Sequence, residues 1–491
     1  MTCQLPYDCL NDILEYLNDD KNTLYSCLLV NQLCCEIAVR ILWRNFWKFC
    51  KFYFYDKPRD ISTSIITTLI GCLPKESKKL LIKNGVNITI MVRKPPLFNY
   101  ASFCKSISIC KINKMIQYLL KNQQSTVLEI LSQEILKMFM NQISSLKVLD
   151  FKHSNSGNIK FIYLPEAKIH LENLTELKCG SNICSEFFYQ MTQLCHNMQS
   201  LTIVFESQIS NWLTDLISVQ NNLKIVNLKR YNNYDDKITT SLIKHSLTLT
   251  KLALYKCNIT LSFIAMFKNL QELHIDLYFD YSGFGQLQYV YFSQLKILRI
   301  NYYIFSTDTG IDMLLHSVCK FLEINGKNLT ELYILNMYYY SLLMNLTLAK
   351  LCPNLRILYS NIREKKSLKL TLNNCQYLEI IELCYKDWQS GKTLFKILAN
   401  YSQKYFHTLI LDCYFRMQIN YLLHDLEEFS KNWQNHNVSY RSFSLIIFAS
   451  NHCIIESNIN IEDIKIAIDK YIKLGIIKKF EIKLEKNFGL T

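Results

Sequence analysis

Turn-forming residues are scarce in this chain: 491 residues hold only 11 glycines and 7 prolines. Irregular, loop-rich folds draw on both types, so the scarcity favours a few connections used repeatedly. Long apolar runs are missing too. No stretch reaches the roughly 18 uninterrupted apolar residues of a membrane helix, so neither a membrane span nor a membrane partner is expected. The opening MTCQLPYDCL has no basic region and no apolar core of a secretory signal, so a cytoplasmic location, a nuclear one, or both is expected. No C-x2-C pair occurs and no histidine falls within residues 1–150, so no metal is expected. Neither H-E-x-x-H nor G-x-S-x-G occurs and the ten histidines are scattered, so no catalytic residue and no cofactor is expected. SGKT at 390–393 ends like a phosphate-binding loop, but Lys386 stands where that loop needs glycine. GFG at 283–285 is followed by Gln288 where a dinucleotide fingerprint needs glycine.

What is present is apolar and basic. Hydrophobic residues make up 49% and charged residues 20%, a composition that buries a core rather than staying disordered. The 19 cysteines, in a reducing compartment, act as small buried hydrophobes. The net charge of +14 is uneven: residues 1–48 carry 4 Lys/Arg against 6 Asp/Glu, and residues 49–142 carry 14 against 5. A basic stretch of that kind attracts nucleic acid or an acidic protein surface, or simply faces solvent.

A repeat dominates the rest. LKVLDF begins at Leu146, LTELKC at Leu174, MQSLTI at Met198, LKIVNL at Leu223, LTKLAL at Leu249 and LQELHI at Leu270. LKILRI follows at Leu295, LTELYI at Leu329, LRILYS at Leu355, LEIIEL at Leu378 and FHTLIL at Phe406. Successive starts lie 28, 24, 25, 26, 21, 25, 34, 26, 23 and 28 residues apart. Positions four and six of each segment point the same way from a short strand, because strand side chains alternate. One such unit cannot bury its own apolar face, but a stack of them can. Helix-like stretches at 184–195, 239–247 and 310–322 are expected to cover the convex side, and the 34-residue step suggests a longer loop. The chain resembles leucine-rich-repeat proteins over 143 to about 415. Cys179, Cys257, Asn258, Asn301, Cys384 and Cys413 follow strands, where in such repeats the side chain turns inward to bond loop carbonyls. Two more strands are expected at 440–448 and 478–485, with an amphipathic helix at 462–475 between them.

The N-terminal segment is different. Leu10, Ile13, Leu14 and Leu17 share one helix face after the Pro6 turn, with Asp8 as a candidate cap. A second helix is expected over 23–31 and a third over 34–43, with Cys34, Ala38, Ile41 and Leu42 in register. Three short helices make a very small core, which generally needs a partner to complete it. The ordered set Leu5-Pro6, Leu10, Ile13, Leu14, Leu17, Leu24, Cys27-Leu28, Val30-Asn31, Val39 and Leu42-Trp43 resembles an F-box over residues 3–47. The resemblance implies that these apolar positions dock a Skp-type adaptor, which in turn binds a cullin–RING ubiquitin ligase. One position departs from the family: Cys34 stands where a Trp is usual, and the lost indole removes contact area.

The expected fold is therefore α/β: a three-helix F-box at 1–48, a mixed basic connecting region at 49–142, and a leucine-rich-repeat solenoid, or horseshoe, with a C-terminal cap at 143–491. Within the connecting region a helix is expected over 74–85, ended by Gly85, and an irregular connector over 94–109 around Pro95-Pro96. The expected function is non-catalytic: a substrate-recognition subunit of a Skp–cullin–F-box ubiquitin ligase, holding an unknown target protein on its repeats. Aromatic-rich segments supply candidate target anchors: Tyr278, Tyr281, Tyr302, Tyr303, Tyr338 and Tyr339. Two other readings stay open: an interaction scaffold with a decayed F-box, and a basic solenoid that binds nucleic acid.

Overall fold

The computed structural model describes residues 5–49, 60–86, 95–121, 123–152, 161–206, 209–231, 236–277, 282–302, 309–335, 342–360, 362, 364–384, 391–413, 442–449 and 461–483. The chain divides into two units, Met1–Lys229 with Asp235–His245, and Arg230–Tyr234 with Ser246–Thr491.

The first unit opens with three short helices, α1 (Tyr7–Glu15), α2 (Lys21–Cys27) and α3 (Gln32–Arg44). Capping side chains set their ends. The Asp20 carboxylate accepts from the Thr23 backbone N–H at 3.1 Å, and Asn31 Oδ1 accepts from Cys34 N–H at 2.8 Å. Because Asn31 caps α3, the second helix stops at Cys27 instead of running to 31. Asp8 sits in the first turn of α1 after Pro6, where its charge meets the positive helix end, and makes no cap. Leu14, Leu24, Ile37, Ala38, Ile41 and Leu42 form the core of this module, edged by Leu10, Leu17, Cys27, Leu28, Leu33 and Trp43.

Helices α4 (Asp60–Cys72) and α5 (Lys75–Lys83) follow. Gly85 closes α5 at φ +83°, a backbone conformation that only a residue without a side chain adopts freely. The repeats then start earlier than residue 143. Strand β1 (Ser106–Ser108) pairs in parallel with β2 (Val148–Phe151), Ile107 opposite Leu149. It lies within the stretch expected to be an irregular connector. The segment CKSISI from Cys104 carries the repeat pattern with Cys104, Ile107 and Ile109, all buried, in place of leucines. Two helices, α6 (Ile109–Leu119) and α7 (Ser125–Gln142), fill the step to β2 and stretch it beyond the usual period. Next come α8 (Pro165–Glu172), β3 (Glu176–Gly180), α9 (Ser185–Leu194), β4 (Ser200–Val204), α10 (Asn211–Ser218), β5 (Ile225–Lys229) and α11 (Lys237–Ile243).

The second unit continues the pattern with β6 (Lys251–Tyr255), β7 (Glu272–Leu277), β8 (Ile297–Tyr302), α12 (Thr309–Asn325), β9 (Glu331–Leu335), α13 (Leu342–Leu351) and β10 (Ile357–Tyr359). It ends with α14 (Lys365–Asn374), β11 (Ile380–Cys384), α15 (Gly391–Tyr401), β12 (Thr408–Cys413), β13 (Phe443–Ala449), α16 (Ile461–Lys473) and β14 (Ile477–Lys483). All eleven expected segments form strands, as do the two expected near the C-terminus with their helix. Step length decides what joins them. The 21-residue step after Leu249 has room only for the 3-10 turn Ser262–Met266, and the 34-residue step holds the 17-residue α12.

Within each unit the strands are parallel and in sequence order, β1 to β5 and β6 to β14. The second residue of each repeat donates its N–H to the carbonyl of the equivalent residue one repeat earlier. Lys147 bonds Lys105 at 2.8 Å, Thr175 bonds Lys147 at 3.0 Å, and Gln199 bonds Thr175 at 2.8 Å. In the second unit Thr330 bonds Lys296, Arg356 bonds Thr330 and Glu379 bonds Arg356, each at 2.8 Å. This ladder fixes register, and the leucines of each segment then align. Leu177, Leu201, Ile203, Leu252, Leu273 and Leu298 are fully buried, each stabilising by about 2 kcal/mol.

A second ladder runs along the helix ends, where polar side chains bond carbonyls of the preceding repeat. Cys195 Sγ donates to Leu171 O at 3.0 Å, Gln220 Nε2 to Cys195 O at 2.6 Å, and Cys375 Sγ to Cys352 O at 3.3 Å. Asn325 Nδ2 donates to Val290 O at 2.8 Å and Asn374 Nδ2 to Ala349 O at 3.0 Å. Thiols were expected to bond carbonyls after the strands. Cys179 and Asn301 are instead buried within β3 and β8, and Cys257 Sγ reaches Tyr255 O at 3.5 Å, but inter-repeat thiol bonds form at the helix ends, where the last carbonyls lack helical partners. The side chains of Cys384 and Cys413 lie outside the described residues. Gly326 is required by close approach: a Cβ there would meet Leu351 O at 2.7 Å.

Gln220 ties this ladder further, since its Oε1 also accepts from Met198 N–H at 3.0 Å and its Nε2 also reaches Leu216 O at 2.9 Å. Replacing it strands three buried backbone groups. Gln220→Ala is expected to cost about 2–3 kcal/mol in urea unfolding, and Gln190→Ala, on an exposed helix face, close to nothing.

Candidate functional site

The N-terminal module is anchored to the first repeat by the chain that leaves α3. Lys105 N–H donates to Arg44 O at 2.9 Å, which aligns the module's exit with the start of β1. Trp47, buried in the 3-10 turn Phe46–Phe49, donates its indole N–H to Ser106 O, and Lys111 Nζ donates to Trp47 O at 2.6 Å. Trp43 packs on Tyr100 at 4.5 Å and on Phe46 at 4.8 Å between ring centroids. Two cations of the basic region are thereby given structural work: Lys111 as above, and Lys78, which donates to Gly71 O at 2.6 Å.

Within the module the positions that resemble an F-box separate into two sets. Leu14, Leu24, Val39 and Leu42 are buried and hold the helices together, with Leu10, Leu17, Leu28 and Trp43 half-buried beside them. Leu5 is 54% exposed, Ile13 50% and Val30 65%, and Pro6 and Asn31 are exposed too. Leu29, outside the expected set, is 89% exposed, and Tyr7, Tyr16 and Tyr25 add aromatic surface. So much apolar area on helices this short is unusual for a surface that meets only water. Cys34, where the family usually has Trp, is buried and so is not part of that exposed set. Behind this surface the Arg44 guanidinium forks onto both oxygens of Glu15, one at 2.8 Å, tying α3 to α1. The bond to Arg44 holds the Glu15 carboxyl below its ordinary value.

The candidate target anchors fare differently. Tyr302 is fully buried on the side of Leu298 and Ile300, so its ring fills the core instead of meeting a target. Tyr278, Tyr281, Tyr303, Tyr338 and Tyr339 lie outside the described residues. In the aromatic-rich stretch 278–292, Tyr289 and Tyr291 are exposed, on a backbone held by Asn325, which also accepts from Phe292 N–H at 2.8 Å.

The strand face of the second unit carries a group that the search for leucines passes over. His274, Arg299, Tyr333, Tyr359 and Glu382 stand opposite one another in register on β7 to β11. Arg299 lies 4.1 Å over the Tyr333 ring and 3.5 Å from Glu331, and Tyr333 and Tyr359 are 4.5 Å apart. Tyr333 Oη donates to Glu331 at 2.8 Å, and Lys251 pairs with Glu272 at 2.9 Å. His274 bonds Asp276 at 2.8 Å, edge-on to Tyr255 at 4.5 Å. Burial, then the nearby Glu382 carboxylate, pushes the Tyr359 phenol up to about 12, and burial with Asp276 and Glu272 raises that of Tyr255. His274, Arg299, Tyr333, Tyr359 and Glu382 occupy position five of L-x-x-L-x-L; aligning the repeats and reading down that column is the signal that finds them. Among the described residues, no three His, Cys, Asp or Glu stand close enough to hold a metal ion, and no helix is long and apolar enough to cross a membrane.

No protein-family model matches the chain, and no curated protein matches it. Among solved structures, a chain in the crystal structure of the Rad7 and Elc1 complex in yeast is similar at 13% identity and a TM-score of 0.39. The likeness covers 60% of this chain and 82% of that one.

The Glu15–Arg44 fork makes a pH-dependent contribution. Because the folded-state pKa lies below the ordinary 4.5, the stabilisation is complete above that value and is lost as pH falls through the lower folded value. Glu15→Gln is expected to lower the thermal midpoint slightly at neutral pH and to flatten its fall between about pH 5 and about pH 3. Thermal unfolding across that range checks it.

Proposed function

We propose that the chain is a substrate-recognition subunit of a Skp–cullin–F-box type ubiquitin ligase, and that it contributes no catalytic group itself. The observation that carries this function is the exposed apolar set on the three-helix module. Leu5, Ile13, Leu29 and Val30 remain open to solvent while Leu14, Leu24 and Ile37 close the small core behind them. Such a module gains most of its further burial from a partner that covers the open side. The ordered set of residues that resembles an F-box supports a Skp-type adaptor as that partner, through which a cullin–RING ligase would be reached. A target held by the repeats would then be presented to the ligase, and proximity would raise its effective concentration there. Arg44 O accepting from Lys105 N–H, the Trp47 indole donating to Ser106 O and Lys111 donating to Trp47 O fasten the module to the first repeat.

Retention on immobilised Skp-type adaptor tests it. The wild-type chain should be retained, and Leu5→Ala/Leu29→Ala/Val30→Ala should lose about tenfold or more in affinity with its thermal midpoint unchanged. Equal retention of both proteins, or none by folded wild type, would remove the adaptor from the account and leave an interaction scaffold.

A further inference from the structure

In the second unit the strands run parallel and in sequence order, so the segments that enter them stack along one edge of the sheet. That edge carries apolar side chains into water. Leu247 is 70% exposed, Tyr289 71% and Tyr291 62%, and Met266, Tyr377 and Tyr405 are exposed with them. Each lies just ahead of the residue that opens the next repeat. Tyr377 and Tyr405, one repeat apart, stack with 5.9 Å between ring centroids. The backbone beneath is held by the following repeat. Asn269 Nδ2 donates to Leu247 O at 2.6 Å, Asn325 Nδ2 to Val290 O at 2.8 Å and Asn354 Nδ2 to Lys327 O at 2.8 Å. These side chains therefore start from fixed positions, and little backbone order is left to lose on binding.

The same edge is basic. Its segments carry Lys268, Lys296, Lys327, Lys350, Arg356 and Lys404 against Glu323 and Glu379. Both acids are already taken, Glu323 by Lys320 at 3.0 Å and Glu379 by Arg356 at 2.6 Å. Lys268, Lys296, Lys327 and Lys350 are exposed, and their ammonium groups make no ion pair or hydrogen bond among the described residues. Uncompensated lysines between exposed tyrosines and aliphatic side chains match the polar boundary of a bilayer, where tyrosine sits at headgroup level and lysine reaches anionic lipid. Nucleic-acid phosphates would answer the lysines but leave Leu247 and Met266 in water. An acidic peptide is gripped in a recess, whereas side chains this exposed stand out from the surface. The lack of a long apolar helix bears on crossing a membrane, not on resting against one.

We propose that this edge of the second unit, from Leu247 to Tyr405, rests on an anionic membrane surface, its lysines on lipid headgroups and its tyrosines at the headgroup boundary. No residue of the three-helix module takes part, so adaptor binding and membrane binding can fail separately. Co-sedimentation of the full chain with vesicles of phosphatidylcholine, alone or mixed with phosphatidylserine, tests it. Binding is expected only with the anionic lipid and should weaken as salt rises. Lys327→Gln should weaken it by about fivefold, and Lys268→Gln/Lys296→Gln/Lys327→Gln by about a hundredfold. Tyr289→Ser/Tyr291→Ser should weaken it by about tenfold with the salt dependence unchanged. Glu323→Gln should strengthen it by about threefold, because an anion is removed and Lys320 is freed, and misfolding could not produce that sign. Absent binding, equal binding to both vesicles, or no response to the lysine variants would overturn the proposal. So would tighter binding of labelled oligothymidylate or hexa-glutamate that the triple lysine variant abolishes, since a nucleic acid or an acidic protein would then be the occupant.

Discussion

Each unit of this protein depends on one hydrogen bond made over and over: the N–H at the second position of a repeat donating to the carbonyl of the same position one repeat back. From Lys147 to Lys105, Thr175 to Lys147, and onward to Glu379 and Arg356, that bond sets the register of parallel strands. A slip of one residue would turn every buried leucine outward. Register in turn brings the helix ends of successive repeats close enough for Cys195, Gln220, Asn325 and Cys375 to bond the carbonyls before them. The same alignment stacks His274, Arg299, Tyr333, Tyr359 and Glu382 into one row.

Most of the repeat array was legible because its signal is redundant: the fourth and sixth positions are buried together whatever the connecting segment does. The first strand escaped because Cys104, Ile107 and Ile109 replace leucines and two helices lengthen its step. Long spacing was expected to mean a loop before Leu329; seventeen of those residues instead make α12, with a helix-length apolar face to bury. The split of the F-box positions was not legible, since Leu14 and Ile13 are adjacent leucine-like residues whose roles differ only by which side of α1 they occupy. Tyr302 failed as a surface anchor for the same reason, one residue of strand alternation placing it with Ile300.

Function divides along the same lines. The module at the N-terminus offers apolar surface on helices too short to bury it themselves, and Trp47 and Arg44 fasten that module to β1. The second unit offers charge and aromatic rings on a sheet face. An apolar contact draws its strength from buried area, and a polar one its selectivity from charge. The scarcity of glycine and proline fits a chain in which connections are repeated and few sites are built from loops.

Hydrogen–deuterium exchange of the full chain with and without a Skp-type adaptor tests the central claim most directly. New protection confined to residues 5–16 and 26–34, with β6–β11 unchanged, is the predicted result. Protection on the β6–β11 face with none on the three helices would contradict it, because the adaptor would then be meeting the repeats and not the module.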